Sequence, residues 1–341
     1  NKSNVQNGLT VVFILSRMGF MKSIPSISSQ IDEKIIFKTI AKNFSKLAPY
    51  YYTFISNWLI RSYKSYQDID KFIIVIYLIN KDLIFFRRNG LIIDYDTFYK
   101  EKTIEIEKIN ITDISKDLKI PKESVRRKVL ELEKKGVIKK TGKKIFVNRS
   151  AFYAAQAINT LKDLTILLHE FSKLLKKIKI GEKVIEPNEI SSSIKKNFSF
   201  CWYQFYKFLF IFTNRWRNEV RDLETFSIGI LVMLNASHNK SFKVKNLSLR
   251  AYQKSIQGSD ERGINAMSIA EITGIPRPTV VRKLKFLIKN GFLHINEKKL
   301  ISVNIKGVAL SRSRKLQDQN MLSLSNFIFR VFNQIKVINV N

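Results

Sequence analysis

Residues 111–138 read ITDISKDLKIPKESVRRKVLELEKKGVI, and residues 266–293 read AMSIAEITGIPRPTVVRKLKFLIKNGFL. The two stretches align without a gap at an offset of 155, Pro121 falling on Pro276. Ile114/Ile269, Ile120/Ile275, Val125/Val280, Arg127/Arg282, Lys128/Lys283, Leu132/Leu287, Lys134/Lys289 and Gly136/Gly291 are the other identical pairs. A repeated unit sets the architecture, so this self-similarity is read first. Ile114, Leu118 and Ile120 bury a short helix and the turn after it; Val125, Val129 and Leu132 recur at helical spacing and bury one side of a second helix. Pro121 is tolerated at a helix start, where its missing N–H would have no partner anyway. Gly136 and Gly291 stand where a left-handed residue closes the second helix. Lys139–Asn148 then alternates around Thr141-Gly142, and Phe292–Val303 turns near Asn296-Glu297, so each stretch is expected to run on into a β-hairpin.

The repetition extends upstream. Residues 51–77 and 205–231 align at an offset of 154, with Tyr52/Tyr206, Phe54/Phe208, Arg61/Arg215, Asp68/Asp222, Phe72/Phe226, Ile74/Ile228 and Ile76/Ile230 matching. The apolar period predicts helices over Ala48–Lys64, Asp68–Ile79, Thr112–Leu118, Lys122–Lys135 and Ala151–Ile178 in a first unit. It predicts Tyr203–Arg217, Leu223–Asn235, Ser268–Thr273, Arg277–Asn290 and Gln317–Val337 in a second. Lys81–Lys108 reads as mixed structure with a turn at Asn89-Gly90, and His238–Gly263 as a polar, mostly irregular insert. Gly181–Ser193, with Pro187 and three serines, reads as a linker. The expected layout is an N-terminal extension over 1–44, partly disordered, a unit over 45–180, a linker over 181–199 and a unit over 200–341. The helix pair and hairpin fall at about 111–148 in the first unit and about 266–304 in the second. The expected fold is mainly α with small β-hairpins, its two units related by internal duplication and joined by long helices. The first residue is Asn, and Met18 or Met21 is expected as a natural start.

The 341 residues carry 60 Lys and Arg against 28 Asp and Glu, a formal net charge of +32. Such an excess suits a polyanionic partner, nucleic acid first and an acidic membrane surface second. An AT-rich genome would inflate Lys, Ile and Asn without any such partner, so charge alone leaves both readings open. Apolar residues at 45% and aromatics at 12% argue for a packed core and against global disorder. The one cysteine, Cys201, excludes an intrachain disulfide and reads as a buried apolar residue in a reducing compartment. With only His169, His238 and His294 beside it, no metal-ligand spacing exists, and no cofactor is expected. No run reaches the ~20 apolar residues of a membrane-spanning helix, so no membrane partner is expected. Leu9–Leu15 is apolar but lacks the small-residue cleavage site of a signal peptide.

At residues 111–148 and 266–304 the chain resembles the winged helix-turn-helix family of DNA-binding proteins. The order of helices before and after each hairpin is similar to that of the MarR group of bacterial regulators, and the resemblance covers roughly residues 45–178 and 200–337. It implies two winged-helix domains, double-stranded DNA as partner and the second helix of each pair as the reader. A helix of about 10–12 Å diameter fits the major groove, so its outward stripe reaches base edges. That stripe is Glu123, Ser124, Arg127 and Glu131 in the first unit, with Lys122 and Arg126 flanking it, and Arg277, Pro278, Thr279 and Arg282 in the second. Arginine reads guanine O6 and N7 with two hydrogen bonds, which singles out Arg127 and Arg282; a merely solvated helix face is the competing reading. The hairpins are the wings. Their Lys139, Lys140, Lys143 and Lys144, and more weakly Lys298 and Lys299 beside Glu297, would neutralise phosphates.

Members of the MarR group are homodimers, so two fused units imply a covalent pseudo-dimer, monomeric or paired again as a homodimer. The Ala151–Leu175 and Leu322–Ile335 stripes then either form much of the shared helical interface or pack only on their own units. The group also implies a small-molecule effector. Tyr50, Tyr51, Tyr52, Phe54 and Trp58, with Phe205, Tyr206, Phe208 and Trp216, either line such a pocket or are simply core. The function expected is a transcriptional regulator of the bacterial cytoplasm, nucleoid-associated, whose unlike recognition helices read an imperfectly symmetric site. Its half-sites would lie about one helical turn apart. The alternative is a plasmid-type replication initiator or architectural DNA-binding protein with tandem winged helices. An enzyme is not expected, because no phosphate-binding glycine pattern, metal cluster or nucleophile elbow occurs. A protein–protein adaptor would have no use for +32.

Overall fold

The computed structural model describes residues 31–106, 108–142, 144–148, 157–181, 183–238, 246–256, 263–304 and 308–339. They are mainly helical, with two small antiparallel sheets. The first half runs α1 (Glu33–Lys42), α2 (Phe44–Tyr66), α3 (Ile69–Arg88), α4 (Tyr95–Lys100), β1 (Thr103–Ile106), α5 (Ile111–Leu118), α6 (Lys122–Lys134), β2 (Ile138–Thr141), β3 (Lys144–Asn148) and α7 (Ala157–Lys177). The second runs α8 (Pro187–Lys196), α9 (Phe198–Val220), α10 (Leu223–Ser237), α11 (Leu249–Ser255), α12 (Ala266–Thr273), α13 (Arg277–Lys289), β4 (Leu293–Ile295), β5 (Ile301–Val303) and α14 (Val308–Asn339).

Local chemistry explains the boundaries. A helix start leaves backbone N–H groups without partners, and a short polar side chain before the helix accepts them. Asp68 caps α3 through Lys71 N, Asp222 caps α10 through Thr225 N, Asn110 caps α5 through Thr112 N, and Asn265 caps α12 through Ser268 N. Gly136 and Gly291 adopt φ of 69° and 74°, as the left-handed closure requires. The first hairpin carries a third strand, in the order β1-β3-β2. The second has two strands and a single bridge from Ile264 to Ile301.

The halves are interwoven rather than strung together. Helix α2 packs on α10, and α9 packs on α3, so each half's long helix crosses the other half's second helix. Helix α1 lies on α14, and α8 lies on α7. The loops cross over as well. Ser45 N–H donates to Leu247 O while Leu247 N–H donates to Ser45 Oγ; Ser199 N–H donates to Ile93 O while Ile93 N–H donates to Ser199 Oγ. Beside these bridges Phe44 meets Tyr252 at 5.2 Å between ring centroids, and Phe198 meets Phe98 at 5.1 Å. One continuous core results, and deleting a large side chain from it would cost about 2–5 kcal/mol.

Two segments carry helices that their composition does not announce, and two readings left open gain definition. The stretch 181–199, read as a linker, contains α8, whose Ile190 and Ile194 are fully buried. Its three serines are weak helix formers, but Pro187 suits a first helical turn and the buried isoleucines supply the packing that propensity lacks. Within the extension assigned to 1–44, residues 33–42 form α1 with Ile36 and Ile40 in the core. The long stripes do both things left open for them: α7 packs on α2 of its own half and on α8 of the other, α14 packs on α9 of its own half and on α1 of the other, and the two meet at Phe171 and Phe332, 5.7 Å between ring centroids. Strand β1, its Ile104 and Ile106 buried and its Thr103 and Glu105 exposed, lies in the segment read only as mixed.

Candidate nucleic-acid interface

Each helix pair is built as its apolar spacing dictates. Ile114, Leu118, Ile120, Val125, Val129 and Leu132 are buried in the first, and Ile269, Ile275, Val280, Leu284 and Leu287 in the second. Burying these rows leaves the opposite faces of α6 and α13 to solvent. Lys122, Glu123, Arg126 and Arg127 are exposed and Ser124 is half-buried; Arg277, Pro278 and Arg282 are exposed and Thr279 is half-buried. On the hairpins Lys139, Lys140, Lys144, Lys298 and Lys299 are exposed, as is Glu297; Lys143 lies outside the described residues.

The two faces differ in their partners. On α6, Arg127 Nε lies 3.9 Å from Glu131 Oε1 with 71% of its side chain exposed, and Arg126 Nη1 lies 3.7 Å from Glu123 Oε2. Lys144 pairs with Glu105 of β1 at 3.0 Å, and Lys140 pairs with Glu133. Exposed pairs of this kind are worth about 0–1 kcal/mol, so exchanging a carboxylate for a phosphate or a base edge is cheap. Glu131 also takes the ammonium of Lys71, and that bond holds its carboxyl below its ordinary value. Helix α13 contains no acidic residue: Phe286 follows Arg282 where Glu131 follows Arg127.

The inner faces carry residues to which the sequence reading gave no task. Lys128 of α6 and Lys283 of α13, identical in the alignment, turn inward. Lys128 Nζ pairs with Asp68 and lies 3.8 Å from Asp70; Lys283 Nζ lies 2.6 Å from Asp222. Asp68 and Asp222 are the residues that cap α3 and α10, so one carboxylate both starts a helix and holds the helix beside it, α6 or α13. Burial opposes ionisation of Asp222, but Lys283 and the Thr225 N–H outweigh it and hold the carboxyl below its ordinary value. The signal for this link was in the repeat, since both partners are matched in it, Asp68 with Asp222 at an offset of 154 and Lys128 with Lys283 at 155.

The corners α2–α3 and α9–α10 that carry these aspartates meet each other. Arg217 pairs with Asp70, and Ile69 N–H donates to Glu224 Oε1 at 3.0 Å. Burial raises the pKa of Glu224, and Asp70 adds to the shift. A continuous set of charged contacts and short helix ends therefore runs from α6 through the junction to α13.

An apolar cavity of about 90 Å³ lies between α10, α13, the second hairpin and α2 of the other half. Tyr51, Tyr52 and Trp216 line it, while Phe54 and Phe205 pack in a tilted pair across the halves, 5.7 Å between ring centroids, in the core. Gly229 opens this space; Val75, fully buried, stands at the aligned place in the first half. Trp216 Nε1 and Asn320 Nδ2 are buried without a hydrogen-bond partner, and both residues line the cavity. Cys201 is buried, and burial pushes its thiol up. Among the described residues no helix is long and apolar enough to cross a membrane, and no group of three His, Cys, Asp or Glu is arranged to hold a metal ion. The chain matches no family model, curated protein or solved structure.

Proposed function

We propose that this chain binds double-stranded DNA as a transcriptional regulator built from two winged-helix units, a covalent pseudo-dimer that arose by internal duplication. The observation that carries the reading is the pair α6 and α13. Each presents an exposed arginine outward, and each is held by an inward lysine to one of two helix corners that touch. Two reader helices braced to a common junction suit two major-groove segments about one helical turn apart. The element order helix, strand, helix, helix, hairpin, with β1 beside β3, supports the winged-helix reading of the first half. Arg127 and Arg282 read base edges, Lys122, Arg126, Arg277 and the wing lysines contact phosphates, and the net +32 supplies the long-range attraction. The cavity beside α13 supports a small apolar effector with a hydrogen-bond acceptor for Trp216 or Asn320. In this reading the chain binds and does not catalyse, and it works on the bacterial nucleoid.

The test is an affinity titration on genomic duplex fragments at two salt concentrations, with Arg127→Ala/Arg282→Ala alongside. Wild type is expected to prefer one fragment by about 10³-fold or more over bulk DNA. The double variant is expected to lose most of that preference, because a bidentate base contact is worth about 1–3 kcal/mol, while keeping salt-sensitive bulk binding. Equal binding to every fragment, unchanged in the variant, would reject the sequence-specific reading and favour an architectural protein.

A further inference from the structure

We infer that Asn214 and Arg217 of the second half cap helix α5 of the first half in trans and are positioning residues for the recognition helix α6. The last carbonyls of a helix have no partner within it and must find one elsewhere. Helix α12 solves this locally. Gly274 follows it with φ 75°, and its N–H returns to Ala270 O at 2.8 Å. Helix α5 has Lys119 at that place, φ 55°, a conformation that a residue with a side chain adopts at a cost. Its end is met instead by two side chains one turn apart on α9. Asn214 Nδ2 donates to Asp117 O at 2.6 Å, and Arg217 Nη1 donates to Leu118 O at 2.6 Å. The other terminal nitrogen of Arg217 pairs with Asp70, which also faces Lys128 of α6. One buried guanidinium thus joins α5, α3 and, through Asp70, α6.

The device is not returned. Ile60 and Tyr63 of α2 stand where Asn214 and Arg217 stand in α9, and neither brings an amide or a guanidinium. At the end of α12 the neighbour from the first half is the aliphatic stem of Lys64, whose Cε would lie 3.6 Å from a Cβ built on Gly274. The second helix pair is therefore closed by its own glycine, whereas the placement of the first depends on how the two halves meet. A shift at the junction is therefore expected to disturb α5 and α6 more than α12 and α13.

Hydrogen–deuterium exchange on the full chain tests this without DNA. In Asn214→Ala/Arg217→Met the amides of residues 111–134 are expected to exchange about tenfold faster or more than in wild type, while those of 266–289 stay within about twofold. Asn214→Ala, which removes no charge, is expected to shift the same amides by a smaller factor, and Arg217→Lys, which keeps a cation for Asp70, is expected to fall between Asn214→Ala and the double variant. Lys64→Ala is expected to change neither segment. Equal acceleration of both helix pairs, or of neither, would overturn the assignment. The consequence for DNA rests on the proposed function and is read separately, on duplexes selected by the wild type and lengthened by one or two base pairs between half-sites. Wild type is expected to lose about tenfold or more in affinity on lengthening, and the double variant only about twofold. Should wild type select no duplex, the DNA reading fails while the exchange result still decides the capping.

Discussion

Helices α6 and α13 hold the same place in their halves, and each carries five Lys and Arg, yet α6 has three glutamates and α13 none. The formal charges are therefore +2 and +5. Arg126, Arg127 and the hairpin residues Lys140 and Lys144 of the first half already face carboxylates, which hold them near defined positions. Arg282 has an aromatic neighbour instead. The outer face of α6 is thus held by nearby carboxylates, whereas α13 supplies none of its own. The supports differ in the same direction. Lys128 and its partner Asp68 are nearly buried, at 10% and 20% side-chain exposure, whereas Asp222 opposite Lys283 is 39% exposed.

The largest effect expected from this contrast is on stability. Lys128→Met leaves Asp68 without its cation, while Asp70 keeps Arg217, and is expected to cost about 2–3 kcal/mol in thermal or denaturant unfolding. Lys283→Met should cost about 1 kcal/mol, because water reaches Asp222. The second cost depends on pH in a defined sense. The folded Asp222 carboxyl titrates below the ordinary aspartate value of 3.8, so its contribution is complete above that value and disappears as pH falls through the lower folded one. Unfolding curves of wild type and Lys283→Met should therefore converge in strong acid; a gap that widens there would break the assignment.

A middle-sized effect separates the two arginines. Arg282→Ala is expected to weaken specific duplex binding about tenfold and Arg127→Ala by less, since Arg127 must first leave Glu131. Adding Glu131→Gln to the comparison should make the Arg127 contribution approach that of Arg282. The reverse ranking would show that pre-pairing organises Arg127 rather than holding it back. The smallest effect concerns the cavity. Gly229→Ala places a methyl 3.8 Å from Leu287 in an otherwise open helical site, so unfolding should show a gain of about 0.5–1 kcal/mol.

How much of this was legible without coordinates depends on range. The helix pairs, their proline starts and glycine closures follow from spacing over a few residues, and so does the outward stripe of α6, which is what remains once Val125, Val129 and Leu132 are buried. The inward lysines were half legible, as identical letters in an alignment with no task attached. Helix α8 was missed because composition argued against it while its packing partner, α7, was not visible from the sequence of residues 187–196 alone.

From local period, turn chemistry and internal repetition, the sequence by itself determined two helix pairs, two hairpins, long amphipathic helices around them and a surplus of positive charge. It did not determine which apolar face meets which. A stripe of leucines and isoleucines states that it must be buried but names no partner, because the hydrophobic effect is non-directional. Only the tertiary structure decided that α2 lies on α10 and α9 on α3, that Asp68 both caps a helix and holds Lys128, and that the end of α5 is closed by Asn214 and Arg217 from nearly a hundred residues away.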